Sequence, residues 1–234
     1  MADEPDVPLT IALAEYEHLR EASRAIHDQT TARFTFFLAV ASASAAAAAG
    51  LLTAGGALPR LPLLGGLGGL VLLLGIAVFA RQVQLNDRGR RYAVATTALR
   101  TYLARRAPDL APYLLMPTLD DPGPFAPEPF RRHWFSDLVG QAGTVGLINS
   151  VLVAVGAGFA GAALVPPVAA VSGAVALFAA SAAAHVSVVR RRVARSARHT
   201  GAVLGHRPEL ATRHAMVDPD LDVVDAGLSP ARRP

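Results

Sequence analysis

Long stretches without any acidic or basic side chain constrain this sequence more than any other feature. Residues 34–59, 61–80 and 138–189 contain no Asp, Glu, Lys or Arg. A helix needs about 20 apolar residues to cross about 30 Å of hydrocarbon, because each residue rises about 1.5 Å. The sequence therefore predicts an integral membrane protein of the all-α class.

The number of crossings follows from the third stretch, which has 52 residues and is too long for one span. It contains Pro166 and Pro167, and two adjacent prolines end one helix and start the next. We therefore predict four transmembrane helices in two tight hairpins. The spans lie at about 34–54, 61–80, 143–165 and 168–189.

The arginines predict the orientation of these spans. The chain has no Lys, and 21 of its 22 arginines fall on the side that holds both termini and the central linker. By the positive-inside rule that side is cytoplasmic, which predicts a multi-pass protein of the bacterial inner membrane. The predicted segments are a cytoplasmic amphipathic helix (1–33), a first transmembrane hairpin (34–80), a cytoplasmic linker with a helix and a Pro-rich loop (81–142), a second transmembrane hairpin (143–189) and a basic cytoplasmic tail (190–234).

Composition agrees with this class of protein. Hydrophobic residues make up 52% and charged residues 17% of the chain, and its mean hydropathy is +0.36. Soluble domains usually carry about 25% charged residues. The net charge of +4 is explained by arginines that lie on the cytoplasmic side of the predicted spans. It therefore does not indicate a nucleic-acid partner, and none is expected. A signal peptide in place of the first span is disfavoured, because seven acids and three arginines precede it.

The predicted cytoplasmic parts are helical where the apolar pattern has a helical period. Residues 8–33 carry apolar side chains at spacings of three and four, with Asp6 as N-cap, and favour packing against another protein helix. Residues 81–106 continue the second span as a helix that Pro108 ends. Trp134 lies in a mixed aromatic and arginine segment and is predicted to anchor the chain at the membrane interface.

Arginine clusters follow the second and fourth spans. They comprise Arg88, Arg90 and Arg91, and Arg190, Arg191 and Arg192. One interpretation is a positive-inside anchor. The other is a site for an anionic lipid or a phosphorylated ligand.

Small residues recur within the spans at the spacing that lets helix backbones approach closely. They include Gly65 and Gly69, the series Ala154, Gly158 and Ala162, and Ser42 and Ser44 in the Ala-rich first span. We expect these positions to mediate helix packing or oligomerisation. The first span is expected to be the most tightly packed span or to face a pore, unless it is merely rich in alanine.

An internal repeat is suggested at an offset of 100 residues. Arg90-Arg91 matches Arg190-Arg191, and Pro108-Asp109-Leu110-Ala111 matches Pro208-Glu209-Leu210-Ala211. Each unit has two spans, so the repeats would be parallel. A homodimer would then present four similar units around a centre, which suits a pore and also a packed bundle.

No catalytic, cofactor or metal motif emerges from the sequence. The series Gly156, Gly158 and Gly161 fits a dinucleotide fingerprint, but it lies within a span. Asn149, Ser150 and His185 are polar residues inside spans, and interhelical hydrogen bonding is their usual role. A Ser–His hydrolase lacks its G-x-S-x-G motif. Asp120-Asp121 lacks the further acids of a magnesium site.

Two segments resemble known membrane proteins. Tyr16–Leu52 resembles the helix-then-span entry of small bacterial two-span effectors, the SLATT group. Leu99–Pro117, with Tyr102, Pro108-Asp109-Leu110 and Tyr113-Leu114, resembles uncharacterised actinobacterial membrane proteins. The first resemblance implies a pore that a cytoplasmic sensor triggers, as in antiphage defence.

Three functions remain open from the sequence. The leading hypothesis is a non-enzymatic, homo-oligomeric membrane protein that forms or gates a pore, or perturbs the membrane, under control of a cytoplasmic partner or signal. The second is an anchor or scaffold that recruits a soluble protein through residues 9–33 and 81–107. The third is a membrane enzyme whose catalytic groups would include His133, His185 and Asp120-Asp121.

Overall fold

Four long helices dominate the computed structural model, which describes residues 6–53, 60–121, 140–162 and 164–206, except the side chains of residues 110 and 111. The helices are α1 (Val7–Thr53), α2 (Arg60–Arg106), α3 (Gln141–Ala162) and α4 (Pro167–Gly205), with a 3₁₀ helix at Pro108–Tyr113. No β-strand occurs in these ranges. The all-α prediction is confirmed, and α1 to α4 are each long and apolar enough to cross a membrane.

Two helix starts follow the chemistry that the sequence predicts. The Asp6 carboxylate accepts a hydrogen bond from the backbone N–H of Leu9 at 3.3 Å, so Asp6 caps α1. Pro167 is the first residue of α4, and Pro166 before it has extended backbone, with φ −54° and ψ 147°. A proline fits the first helical turn because the N–H that it lacks has no partner there.

The helices α1 and α2 pack antiparallel from the start of α1 to at least Phe37. Contacts between them join Asp6 to Arg106, the Thr30 carbonyl to Gln82 at 2.9 Å, and Phe37 to the face of Gly75. Each helix has 47 residues, which corresponds to about 70 Å, so each extends well past its charge-free part. The sequence-predicted helices at 8–33 and 81–106 are thereby confirmed, and they pack against each other.

The helix α2 is central, because it contacts α1, α3 and α4. In the most apolar windows of α2 and α3, 22% of the residues are buried, against 6% in α1 and α4. Within the single chain the Ala-rich first span is therefore less buried than the spans in α2 and α3, and its packing in an oligomer or its exposure to a pore stays a prediction. The core consists of Phe37, Val71, Val78, Phe79, Val83, Ala142, Val145 and Val189.

After α2 the chain folds back onto the end of that helix. The backbone N–H of Leu119 donates to Thr101 Oγ1 at 2.8 Å, and Arg100 donates to the Pro117 carbonyl at 3.1 Å. Leu119 is buried by this return. Residues 108–121, called the return segment below, thus close one end of α2.

We expect Thr101→Val to loosen the return segment. Valine keeps the shape of threonine but leaves the buried N–H of Leu119 without an acceptor, at a cost of about 1–3 kcal/mol. Hydrogen exchange at Leu119 should then accelerate about 5- to 150-fold. Thr97→Val is the control, since the Thr97 hydroxyl donates only within its own helix, to Ala93. Equal exchange in both variants would contradict the role of Thr101.

Several predicted features lie outside the described residues. They include Trp134, His133, and the tail residues 207–234, which hold the Pro208-Glu209-Leu210-Ala211 part of the proposed repeat. The repeat therefore stays a prediction.

Candidate functional site

Polar side chains lie inside the apolar parts of three helices. Asn149 and Ser150 of α3 are both completely buried. Ser150 Oγ donates to the Gly146 carbonyl at 2.8 Å and lies 3.1 Å from Ser181 Oγ of α4. These contacts add hydrogen bonding between hydroxyl groups to the packing of α3 against α4.

His185 extends this polar core to α2. Its Nδ1 is 2.8 Å from the Ser181 carbonyl oxygen, and since a carbonyl only accepts, Nδ1 carries a proton. The imidazole ring meets Phe79 of α2 edge to face, with centroids 4.6 Å apart and planes at 83°. Gly146 provides the space, because a Cβ there would lie 3.1 Å from the Cβ of His185.

Asn149 is the most unusual member of the polar core. Its Oδ1 and Nδ2 are both buried and have no hydrogen-bond partner among the described residues. On α2, Gly75 makes room for this amide, since a Cβ at Gly75 would lie 1.9 Å from Asn149 Oδ1. It would also lie 3.1 Å from the ring of Phe37. An unpaired amide in apolar surroundings costs roughly 2–7 kcal/mol, so this position is costly for stability alone.

Further unpaired polar atoms lie toward the charged ends of the helices. Gln82 donates its Nε2 hydrogen to the Thr30 carbonyl, but its Oε1 is buried without a partner in the described ranges. The same holds for Thr30 Oγ1 and Gln141 Oε1. Gln82 is about 10 Å along α2 from Gly75. Unpaired polar atoms therefore continue from Asn149 to the boundary with the charged segments.

The polar core does not have the geometry of a serine hydrolase. The contacts of Ser150 are with Gly146 and Ser181, and His185 bonds to backbone. A nucleophile and its base would have to share a hydrogen bond. Within the residues that the structure describes, no group of three His, Asp or Glu side chains could hold a metal ion.

The small residues singled out in the sequence occupy different surroundings. A Cβ at Gly158 would lie 3.6 Å from Ala174, so this glycine belongs to the α3–α4 contact. Gly65 and Gly69 have no neighbour within 4 Å of such a Cβ. Ala154 and Ser44 are half-buried, whereas Ser42 and Ala162 are exposed. Any packing role of the open positions must therefore involve a second molecule.

Two of the predicted arginines meet in one cleft between α2 and α4. The cleft is lined by Val83, Asn86, Asp87, Arg90, Ala142, Val189, Arg192, Val193 and Ser196. Arg88, Arg91, Arg190 and Arg191 do not line it. Asn86, Asp87 and Ser196 were missed, because only the packing of two helices distant in sequence brings these residues together.

An ion pair between Arg105 and Asp120 also holds the return segment against α2. Asp120 accepts hydrogen bonds from Arg105 at 2.6 and 2.8 Å. These bonds hold the pKa of the Asp120 carboxyl below its usual value of 3.8, against the opposing effect of partial burial. The pKa of Arg105 is raised, chiefly by the same hydrogen bond.

We expect acid to release the return segment. Because the folded pKa of Asp120 is depressed, its pairing stabilises the fold above the unfolded pKa and is lost as pH falls through the folded pKa. The chain has no cysteine, so a nitroxide on Leu115→Cys, at a 95% exposed position, can report the motion. The label should gain mobility, relative to neutral pH, only when the pH falls below 3.8, the usual pKa of an aspartate carboxyl. Asp120→Asn should be mobile at both, and a label insensitive to that substitution would refute the assignment.

Comparison with known proteins adds no further constraint: no protein-family model, curated protein or solved structure matches this chain.

Proposed function

We propose that this chain is a non-enzymatic, multi-pass protein of the bacterial inner membrane that assembles with copies of itself and conducts small polar solutes or ions. In this proposal α1 to α4 cross the membrane, and both termini face the cytoplasm. The charged ends of α1 and α2 receive a cytoplasmic signal or partner that controls conduction.

The observation that carries this proposal is the buried, unpaired amide of Asn149 within the apolar part of α3, with further unpaired polar atoms near the ends of the charge-free stretches. More than about 90% of buried polar groups in folded proteins have a partner. Here both amide atoms of Asn149, one oxygen of Gln82 and one of Gln141 have none among the described residues. Leucine or valine at these positions would make a more stable anchor. Polar groups kept within a membrane at such a cost usually serve a solute path.

Self-association is supported by the surface of the chain. Ser42 is exposed, and Gly65 and Gly69 face open space on α2. Glycine and serine gain little from contact with lipid, but they let helices of neighbouring molecules approach closely. A path lined by several copies can be wider than the interior of one four-helix unit.

A second function, as an anchor that recruits a soluble partner, is favoured by a different observation. Tyr113, Leu115 and Met116 of the return segment are 79%, 95% and 63% exposed. They lie outside the predicted transmembrane spans, so lipid would not cover them. Apolar side chains that are exposed in this way often mark protein contacts. A recruiting protein would need this surface and would not need the polar core.

Liposome flux separates the two functions. The purified full-length chain should release potassium from preloaded liposomes, and Asn149→Leu should lower that flux about tenfold, because leucine offers a solute no polar contact. Val151→Leu on the exposed face of the same helix is the matched control and should leave the flux unchanged. Absence of flux from the wild type at every pH and with cytoplasmic extract would overturn the conduction proposal. If the biological activity of the protein in cells survives replacement of all four spans by unrelated transmembrane helices, the anchor function would be favoured.

A further inference from the structure

A cleft of mixed character lies between α2 and α4, where their charge-free parts end. Val189 is the last residue of the longest charge-free stretch, and Val83 lies three residues beyond Ala80, where another stretch ends. Both line the cleft, together with Ala142 at the start of α3. In a membrane-inserted chain the cleft is therefore level with the lipid headgroups.

The lining divides into an apolar floor and a basic rim. Val83, Ala142 and Val189 of the floor are buried. The rim carries Arg90 from α2 and Arg192 from α4. Asp87 also lines the cleft, but its carboxylate accepts a hydrogen bond from Arg91 at 2.9 Å, which offsets its negative charge. With two arginines and one aspartate, the residues that line the cleft carry a net charge of +1.

Guanidinium groups from two helices suit a phosphate. Arginine presents several donors in a planar fork and matches phosphate oxygens better than lysine does. Asn86 and Ser196 add neutral hydrogen-bonding groups to the same lining. An apolar floor beside such a rim fits a ligand that carries a hydrocarbon chain next to its phosphate.

We propose that the cleft between α2 and α4 binds the phosphate headgroup of an anionic lipid, with the upper part of an acyl chain on Val83, Ala142 and Val189. This inference rests on the membrane insertion proposed above and does not depend on conduction. A bound lipid would join α2 to α4 and so bridge the two halves of the chain.

Native mass spectrometry of the full-length protein tests the site. The protein in dodecyl maltoside is offered equal amounts of phosphatidylglycerol and phosphatidylcholine, and the retained lipid is counted. The wild type should retain phosphatidylglycerol in preference. The double variant Arg90→Gln, Arg192→Gln should lose this preference about 100-fold, since each hydrogen bond between a guanidinium and the phosphate contributes about tenfold.

A matched control removes the same charge elsewhere. Arg195→Gln, Arg198→Gln changes two arginines of α4 that do not line the cleft, and retention should stay within about twofold of the wild type because solvent and salt screen exposed charges that do not contact the phosphate. Equal loss in the two double variants would overturn the proposal in favour of general charge attraction. Ser196→Glu keeps both rim arginines and adds a negative charge to the cleft, so it should also reduce retention. Full retention in this variant would overturn the site.

Inorganic phosphate separates a lipid site from a site for a soluble phosphate. At millimolar concentration it should leave the bound phosphatidylglycerol in place, because it cannot use the apolar floor. Displacement by inorganic phosphate alone would overturn the lipid assignment. The mass-spectrometry experiment does not depend on flux. If the lipid preference is absent, only the lipid site is refuted, and conduction is still tested by the liposome experiment. A protein that is not found in the membrane fraction would refute both proposals.

Discussion

Gly75→Leu is expected to destabilise the packing of α2 against α3 by about 3 kcal/mol. Even a Cβ at this position would lie 1.9 Å from Asn149 Oδ1 and 3.1 Å from the Phe37 ring. Asn149 and Phe37 are both completely buried, so neither side chain can swing into solvent. The added side chain must therefore separate the helices or force unfavourable rotamers.

The measurement is a titration with sodium dodecyl sulfate, followed by energy transfer between dyes on cysteines introduced into α2 and α3. Gly69→Leu, on the same helix with no neighbour within 4 Å, is the matched control and should change the unfolding free energy by less than about 0.5 kcal/mol. Equal destabilisation by the two substitutions would mean that the α2–α3 contact at Gly75 is absent.

A double-mutant cycle isolates the contact itself. Gly75→Ala should be costly beside Asn149 and much less costly beside Asn149→Ala, because alanine at 149 removes the Asn149 atoms that clash and leaves only the close contact with the Phe37 ring. The coupling energy should fall within the range of about 0.5–3 kcal/mol typical of residues in contact. Additive effects would contradict the geometry.

Gly75 shows why sequence reasoning located the helices but not their closest contact. The helices follow from charge-free stretches, the Asp6 cap and the Pro166-Pro167 turn, all of which act locally. Spacing rules for small residues selected Gly65 and Gly69, which face open space in the chain. Gly75 stands alone among bulky neighbours, and its importance comes from Asn149 on a different helix.

The arginine clusters illustrate the same limit. Successive residues of a helix point about 100° apart, so the side chains of adjacent arginines cannot all point into one site. Only Arg90 of the first cluster and Arg192 of the second line the cleft. The sequence identified arginines just beyond the ends of the charge-free stretches, but which of these side chains line the cleft depends on how α4 packs against α2.

Asn149→Leu should lower conduction without lowering stability if the polar core serves a solute path. Leucine has the branching of asparagine with larger methyl groups and no polar atoms, so it removes two buried groups that have no partner in the described residues. Because the gain from removing these groups outweighs or balances the cost of the added volume, the unfolding free energy should stay level or rise by up to about 3 kcal/mol, while potassium flux falls about tenfold. If Asn149 instead joined the helices through hydrogen bonds, Asn149→Leu would lower the unfolding free energy, because those bonds would be lost.

Asn149→Asp tests the same position with a charge. A carboxylate in place of the amide would be buried without a partner and should destabilise the bundle strongly unless water reaches it. Flux that persists in this variant with a changed preference for cations over anions would indicate that solute passes Asn149. A variant that is unfolded in the surfactant titration would instead mean that the core is closed to water, and conduction would then have to follow the surface between copies of the chain.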